Sequence, residues 1–354
     1  MKRKLALLLA LLLILALPAA AFADEAWVCS KGHSNDGGNL FCGTCGEQRA
    51  EESEDWTCSK GHTNPAANLF CGLCGEKRSG EQSDAVDWRS PYEDEDYELA
   101  LPLLEAAAKA GDTEAAAALA KCYIYGEGTE YDPDAGFRLA KQAAEAESPL
   151  GMFLYARCYN FGTGTERNTK KAANWYTKAV EAGNVWAMVN LGELYELGDG
   201  VALDYEKALA LYQQAARAGD TYAMINIGWL YANGKGVEED HTKAFSWYLK
   251  AANAGDSTAM VNVGYAYNTG DGVGADYRKA MEWYTKAADA GNAVAMYNLG
   301  IYYLNGYVVK QNNQEALKWL GKAADAGYEK AFDIIRDMVA YGYVKAEDAS
   351  AWLD

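Results

Sequence analysis

A glycine recurs every 36 residues along the C-terminal three quarters of the chain, at Gly111, Gly183, Gly219, Gly255, Gly291 and Gly327, with Glu147 in the one slot that breaks the series. A tyrosine keeps the same beat at Tyr123, Tyr159, Tyr195, Tyr231, Tyr267 and Tyr303, each preceded three residues earlier by Ala or Gly. A period of this length constrains the fold more than composition does. Each unit is too short to bury its own apolar side, so the units must stack into an array.

Within one unit the spacing is helical. Ala223, Ile227, Leu230 and Tyr231 fall on one face of a first helix, and Gly234 and Gly236 supply the left-handed backbone that ends it. Asp240 then opens a second helix, His241 to Ala254, where Ala244, Trp247, Tyr248 and Ala251 share a side with Ala252 beside it. Candidate N-caps of the second helices recur at Asp96, Asp132, Asn168, Asp204, Asp240, Asp276, Asn312 and Asp348, and of the first helices at Asp112, Ser148, Asn184, Asp220, Asp256 and Asn292. Only Tyr328 departs from a capping residue. Pro133 and Pro149 stand at the first helical position, where no amide is needed.

The consensus Ala-Met-x-Asn-Leu/Ile/Val-Gly, then Tyr, Gly-x-Gly-Val, Asp-Tyr-x-Lys-Ala and Trp-Tyr-x-Lys-Ala-Ala-x-Ala-Gly strongly resembles Sel1-like repeats. The resemblance spans Asp94 to Asp354, with a leading half-repeat and a degenerate end at Tyr328. It implies an all-α fold, a right-handed α-solenoid of 36-residue helix pairs, and an adaptor role without a shared chemical activity. In such solenoids the first helices line the concave wall.

On that wall Trp186, Tyr222, Trp229, Tyr265 and Tyr297 form an aromatic stripe and a candidate recognition groove, with inter-repeat packing as the alternative. Asn190, Asn226, Asn262 and Asn298 occupy the neighbouring row, where they are candidates for bonding a peptide backbone or an adjacent helix. The Gly-x-Gly pairs, such as Gly234 and Gly236, join helix to helix rather than strand to helix, so they read as turns and not as a phosphate cradle. Cys122 and Cys158 occupy equivalent positions about 9 Å apart in stacked helices, beyond disulfide reach, and read as buried free thiols.

Ahead of the array a second repetition appears, with an offset of 29 residues: Trp27-Val28-Cys29-Ser30-Lys31-Gly32-His33 over Trp56-Thr57-Cys58-Ser59-Lys60-Gly61-His62, and Phe41-Cys42-Gly43 over Phe70-Cys71-Gly72. Each copy reads C-x3-H-x8-C-x2-C. Four soft ligands per copy, Cys29, His33, Cys42 and Cys45, then Cys58, His62, Cys71 and Cys74, suit two structural Zn²⁺ ions in tetrahedral thiolate and imidazole sites. Disulfides are the alternative, yet three cysteines per copy would strand one thiol and leave the histidine idle. The W-x-C start, Asn35 and Asn64, and the C-x2-C-G end resemble zinc-ribbon and RanBP2-type fingers, which implies a structural or protein-binding role.

The sequence thus divides into 1–23, a signal peptide; 24–49, zinc module 1; 50–55, a linker; 56–78, zinc module 2; 79–93, an acidic linker; and 94–354, the solenoid. The signal is read from Lys2, Arg3 and Lys4 followed by the apolar run Leu5 to Leu17 and Ala21-Phe22-Ala23, too short for a spanning helix. It points to a secreted, periplasmic or cell-envelope protein with no transmembrane segment after cleavage. Removing its three cations from 32 leaves 29 basic against 50 acidic residues, a charge that repels nucleic acid. Histidine occurs only at positions 33, 62 and 241, which leaves nothing to activate a nucleophile. The sequence therefore reads as a non-enzymatic scaffold for a protein or peptide. A cell-wall glycan is the alternative ligand, and a hydrolase would require two carboxylates converging in a deep pocket.

Overall fold

The computed structural model describes residues 87–353 and, ahead of them, four two-residue strands. The strands form two separate antiparallel ladders, β1 (Trp27–Val28) with β2 (Ser34–Asn35) and β3 (Trp56–Thr57) with β4 (Thr63–Asn64). Both copies share one register: Trp27 lies opposite Asn35, and Trp56 opposite Asn64. The eight candidate metal ligands, Cys29, His33, Cys42, Cys45, Cys58, His62, Cys71 and Cys74, lie outside the described residues.

The second compact unit begins at Trp88, six residues before Asp94, and its described regular elements are all helices. Trp88 is buried, and its indole Nε1 donates to Asp112 at 3.1 Å, which ties the short helix α1 (Arg89–Glu93) to the array. After the lone helix α2 (Tyr97–Lys109) come six first-and-second helix pairs: α3 (Thr113–Tyr125) with α4 (Pro133–Glu145), α5 (Pro149–Phe161) with α6 (Thr169–Glu181), α7 (Val185–Leu197) with α8 (Tyr205–Arg217), α9 (Thr221–Ala232) with α10 (His241–Asn253), α11 (Ser257–Thr269) with α12 (Tyr277–Asp289), and α13 (Ala293–Asn305) with α14 (Asn313–Asp325). The chain closes with α15 (Glu329–Ala340), α16 (Ala346–Ala349) and a 3₁₀ turn over Ser350–Trp352. Each helix packs on its sequence neighbours, as a stacked array of helix pairs requires.

The local signals account for the joints. Every helix from α2 to α14 starts at an Asp, Asn or Ser whose side chain accepts an orphan amide; Asp112 takes those of Glu114 and Ala115, both at 3.0 Å. Tyr328 makes no such bond. Asp348 is no N-cap either: the chain turns at Tyr341 to Lys345, and Asp348 sits inside α16, accepting from Gln314 at 3.2 Å. The repeating glycine closes the second helices, with Glu147 in its place after α4. Gly255, at φ 98°, donates to Ala252 and the next residue Asp256 donates to Ala251, so Asp256 both ends one helix and caps the following one. Across the longer joint, the amide of Asp240 donates to the carbonyl of Tyr231 at 2.9 Å, and Lys243 sits 3.1 Å from Asp240 and over the Tyr231 ring.

The core stripe is largely as spaced. Ala223, Ile227 and Leu230 are fully buried, whereas Tyr231 is half-buried beneath Lys243; in the second helix Ala244, Ala251 and Ala252 are buried and Trp247 and Tyr248 half-buried. Tyr176, Tyr212 and Tyr284, one per second helix, are among the largest fully buried side chains. Cys122 and Cys158 are buried and unpaired. Among the described residues no helix is long and apolar enough to cross a membrane.

Candidate functional site

The two helix rows treat their aromatic side chains differently. On the second helices Trp175, Trp247, Trp283 and Trp319 each lie beneath the lysine three residues on, at 3.8, 3.8, 4.1 and 4.3 Å. Those are the tryptophans of the repeat consensus, and their faces are covered by cation–π contact. On the first helices Trp186 is 56% exposed, Tyr222 51%, Trp229 40% and Tyr265 57%. Among the described residues no cation covers them. They fill two positions of the first helix seven residues apart, Trp186 and Tyr222 at one and Trp229 and Tyr265 at the other, so they share one side of the array.

Tyr297 is placed differently. It is half-buried, with its ring edge-on to Tyr328 at 5.1 Å, against the C-terminal end of the core. The asparagine row is also divided. Asn190 accepts from Tyr176 at 3.2 Å and donates to the Trp186 carbonyl at 2.8 Å, which ties it within and between helices. Asn226 and Asn298 are half-buried on the same row, and Asn262 lines a small cavity between α9, α10 and α11.

A bond crosses between neighbouring first helices where the Tyr222 hydroxyl donates to Glu193 Oε1 at 2.9 Å. Beside it the Tyr212 hydroxyl donates to Glu196 at 2.8 Å. Burial pushes the Glu193 carboxyl above its usual range; the Tyr222 bond pulls it back and the Glu196 charge adds to the rise. The same burial, together with the Glu193 charge and bond, pushes the Tyr222 phenol up to about 12.

Nearer the N-terminus the wall holds groups that the stripe left out. The guanidinium of Arg157 lies 4.9 Å from the ring centres of both Tyr125 and Phe161 and donates to the Tyr125 hydroxyl at 2.5 Å. Phe153 packs on Trp186 at 5.8 Å, and beside them Lys121, Leu150 and Leu154 line a cavity of about 220 Å³. The available sequence signal was that Tyr125 and Phe161 end two equivalent first helices one repeat apart. His241, at the start of α10, lies 3.0 Å from Glu239 by Nε2 and 2.7 Å from Asp271 by Nδ1.

The geometry meets its relatives at this point. The Sel1 repeat model matches seven consecutive segments, 91–112, 113–148, 149–184, 187–220, 221–256, 257–292 and 293–328. A Sel1 repeat protein from Oxalobacter formigenes is similar in structure with a TM-score of 0.63 and 34% identity over 68% of this chain and 98% of that one. The antigen c5321 of uropathogenic Escherichia coli, described as a protective antigen displaying an SLR fold, is similar with a TM-score of 0.60 and 28% identity, over 72% of this chain and 55% of that one. No curated protein matches the sequence. With seven repeats in register and a third of its residues shared along nearly the whole of the Oxalobacter protein, the chain belongs to the Sel1 repeat family.

Proposed function

We propose that this chain is an exported, non-enzymatic scaffold that holds a protein or peptide along the exposed wall of its first helices. Sel1 repeat proteins generally serve as protein-interaction scaffolds, which is the coarse part of this reading. The observation that carries the finer part is the contrast between rows: the second-helix tryptophans are each covered by a lysine, while Trp186, Tyr222, Trp229 and Tyr265 on the first helices are exposed and carry no such cover among the described residues. Exposed Trp and Tyr with few rotatable bonds are the residues that dominate protein interfaces. Because the amide of Asn190 is already engaged within the array, side-chain packing rather than an asparagine ladder supplies most of the recognition.

Export rests on the cationic start and the apolar run Leu5 to Leu17. For the modules, two Zn²⁺ ions remain our assignment, and one feature of the ladders agrees with it. Val28, just before Cys29, pairs with Ser34, just after His33; Thr57, before Cys58, pairs with Thr63, after His62. Both hairpins therefore bracket their first ligand pair identically.

Photo-crosslinking in the native host tests the scaffold reading. Benzoylphenylalanine at position 186, 229 or 265 is expected to give discrete protein adducts, whereas the same probe replacing Ser246, exposed on a second helix, gives none. Equal labelling from both rows, or adducts whose added mass is saccharide, would overturn it.

A further inference from the structure

The cavity between α9, α10 and α11 arises where the chain departs from its own pattern. In the preceding repeat, the residue at the equivalent of position 232 bonds the tyrosine of the second helix: Glu196 accepts from the Tyr212 hydroxyl at 2.8 Å. Position 232 is Ala. Its methyl reaches nothing polar, so the Tyr248 hydroxyl has no hydrogen-bond partner among the described residues, and a space of about 140 Å³ opens beside it. That volume is close to the ~150 Å³ cavity that admits a benzene ring.

The lining is not merely apolar. Tyr248, Asn262, Tyr265, His241 and Asp271 converge on it with Ala232. Asp271 Oδ1 lies 2.7 Å from His241 Nδ1, and both residues line the space. Burial and the Asp271 charge together push the Tyr248 phenol up to about 12, so the hydroxyl stays protonated and feels that carboxylate. A carboxylate oxygen, an amide, a phenol and an exposed tyrosine face around a small space form a receptor for a flat cation. The chain contains its own example of such a contact, in which Arg157 lies 4.9 Å from two aromatic rings with a guanidinium nitrogen on a tyrosine hydroxyl.

We infer that this cavity is a specificity pocket for an arginine side chain of the partner protein, with the guanidinium between Tyr248 and Tyr265 and bonded to Asp271 and Asn262. The chain's net charge of −18 favours such a basic partner. Tyr265 and Asn262 belong to the first-helix wall, so the pocket opens where the partner is proposed to lie, and the inference rests on that reading.

The test uses N-acetyl-arginine amide as probe and its neutral isostere N-acetyl-citrulline amide as control, titrated into the full chain with ¹³C-labelled tyrosine rings and followed by NMR. Saturable shifts of the Tyr248 and Tyr265 signals are expected with arginine amide at millimolar concentration, and at least tenfold weaker binding of citrulline amide. Asp271→Asn is expected to weaken arginine amide at least tenfold. Ala232→Leu, which installs the residue found at the equivalent Leu304, fills the space and abolishes the shifts while thermal unfolding confirms that the fold is kept. Equal affinity for both amides, no saturable shift in the parent, or undiminished binding in Ala232→Leu would each overturn the pocket. These outcomes are separable from the scaffold reading. If wall probes crosslink a protein while arginine amide fails to bind, the pocket alone falls; if arginine amide binds while the wall crosslinks nothing, the scaffold falls and the pocket stands as a small-cation site.

Discussion

The ring of Tyr212 occupies the place where residue 192 would carry its side chain: a Cβ on Gly192 would come within 2.6 Å of Tyr212 Cε1 and 3.0 Å of Cδ1. The same approach repeats between Gly228 and Tyr248 and between Gly264 and Tyr284. Tyr212 cannot simply withdraw, since it is fully buried and its hydroxyl is held by Glu196. Gly192→Ala is therefore expected to destabilise the array by ~1–3 kcal/mol through overpacking, less the ~1 kcal/mol that alanine gains in a helix. The equivalent Ala156 beside Tyr176 shows that a methyl fits where the neighbours are built around it, so the effect is repacking, read as a lower urea midpoint with an unchanged slope. An unchanged midpoint would mean that the ring moves freely.

Glu147 holds a left-handed backbone, φ 63°, at the slot where every other second helix from α2 to α14 has glycine, while keeping the same two closing bonds, its own amide to Ala144 and that of Ser148 to Ala143. A side chain in that conformation costs ~1–2 kcal/mol, partly returned by its lower entropy when unfolded. Glu147→Gly is expected to stabilise the protein by about 1 kcal/mol, seen as a raised melting temperature. A fall would show that the Glu147 side chain makes a contact worth more than the strain.

The period, the caps and the glycine closures were legible because each is a local bargain between a backbone group and a residue within five positions. The glycine under Tyr212 was legible only as a small residue three places before another tyrosine; its true partner lies on the next helix, which spacing along one helix does not reveal. The aromatic stripe divided for the same reason. Trp186, Tyr222, Trp229 and Tyr265 kept open faces, but Tyr297 met Tyr328 of the degenerate last repeat, a neighbour set by how the array ends. The cavity beside Tyr248 was invisible because its cause is an absence: Ala232 is an ordinary helix residue until Glu196, its equivalent one repeat earlier, is seen to hold the hydroxyl of Tyr212.

Burial pushes the thiol of Cys122 up to about 11 and that of Cys158 up to about 12. Both are closed to solvent, so neither forms thiolate at neutral pH in the folded state. Site-resolved alkylation by iodoacetamide should leave both unmodified in native buffer and label both in denaturant. Rapid native labelling of either would place it nearer solvent than the array allows.

The metal reading of the modules predicts two zinc ions per purified chain by elemental analysis. Cys42→Ser, which removes one ligand of the first copy, should lower the count to about one, and a chelator should strip both while leaving the helical circular-dichroism signal of the repeats in place. Intramolecular disulfides among these six cysteines, with no bound zinc, would decide for the alternative.

His241 joins two repeats through charge, since it opens α10 and its ring lies between Glu239, just ahead of its own helix, and Asp271 in the loop of the next pair. The Glu239 bond raises its pKa above the ordinary 6.5, the Asp271 charge adds to the rise, and partial desolvation opposes it. A group whose folded pKa exceeds its unfolded value stabilises the fold fully below the unfolded value and loses that contribution as pH rises through the folded one. The window therefore opens at about 6.5 and extends upward. His241→Asn should lower the melting temperature relative to the parent at about pH 5.5, and that difference should shrink as the pH is raised towards about 9. Asp271→Asn should lower the ring titration midpoint, followed by the imidazole proton resonance, without abolishing the rise that Glu239 causes. A melting difference that is the same at both pH values would mean that the imidazole contributes by packing at the joint and not by its charge.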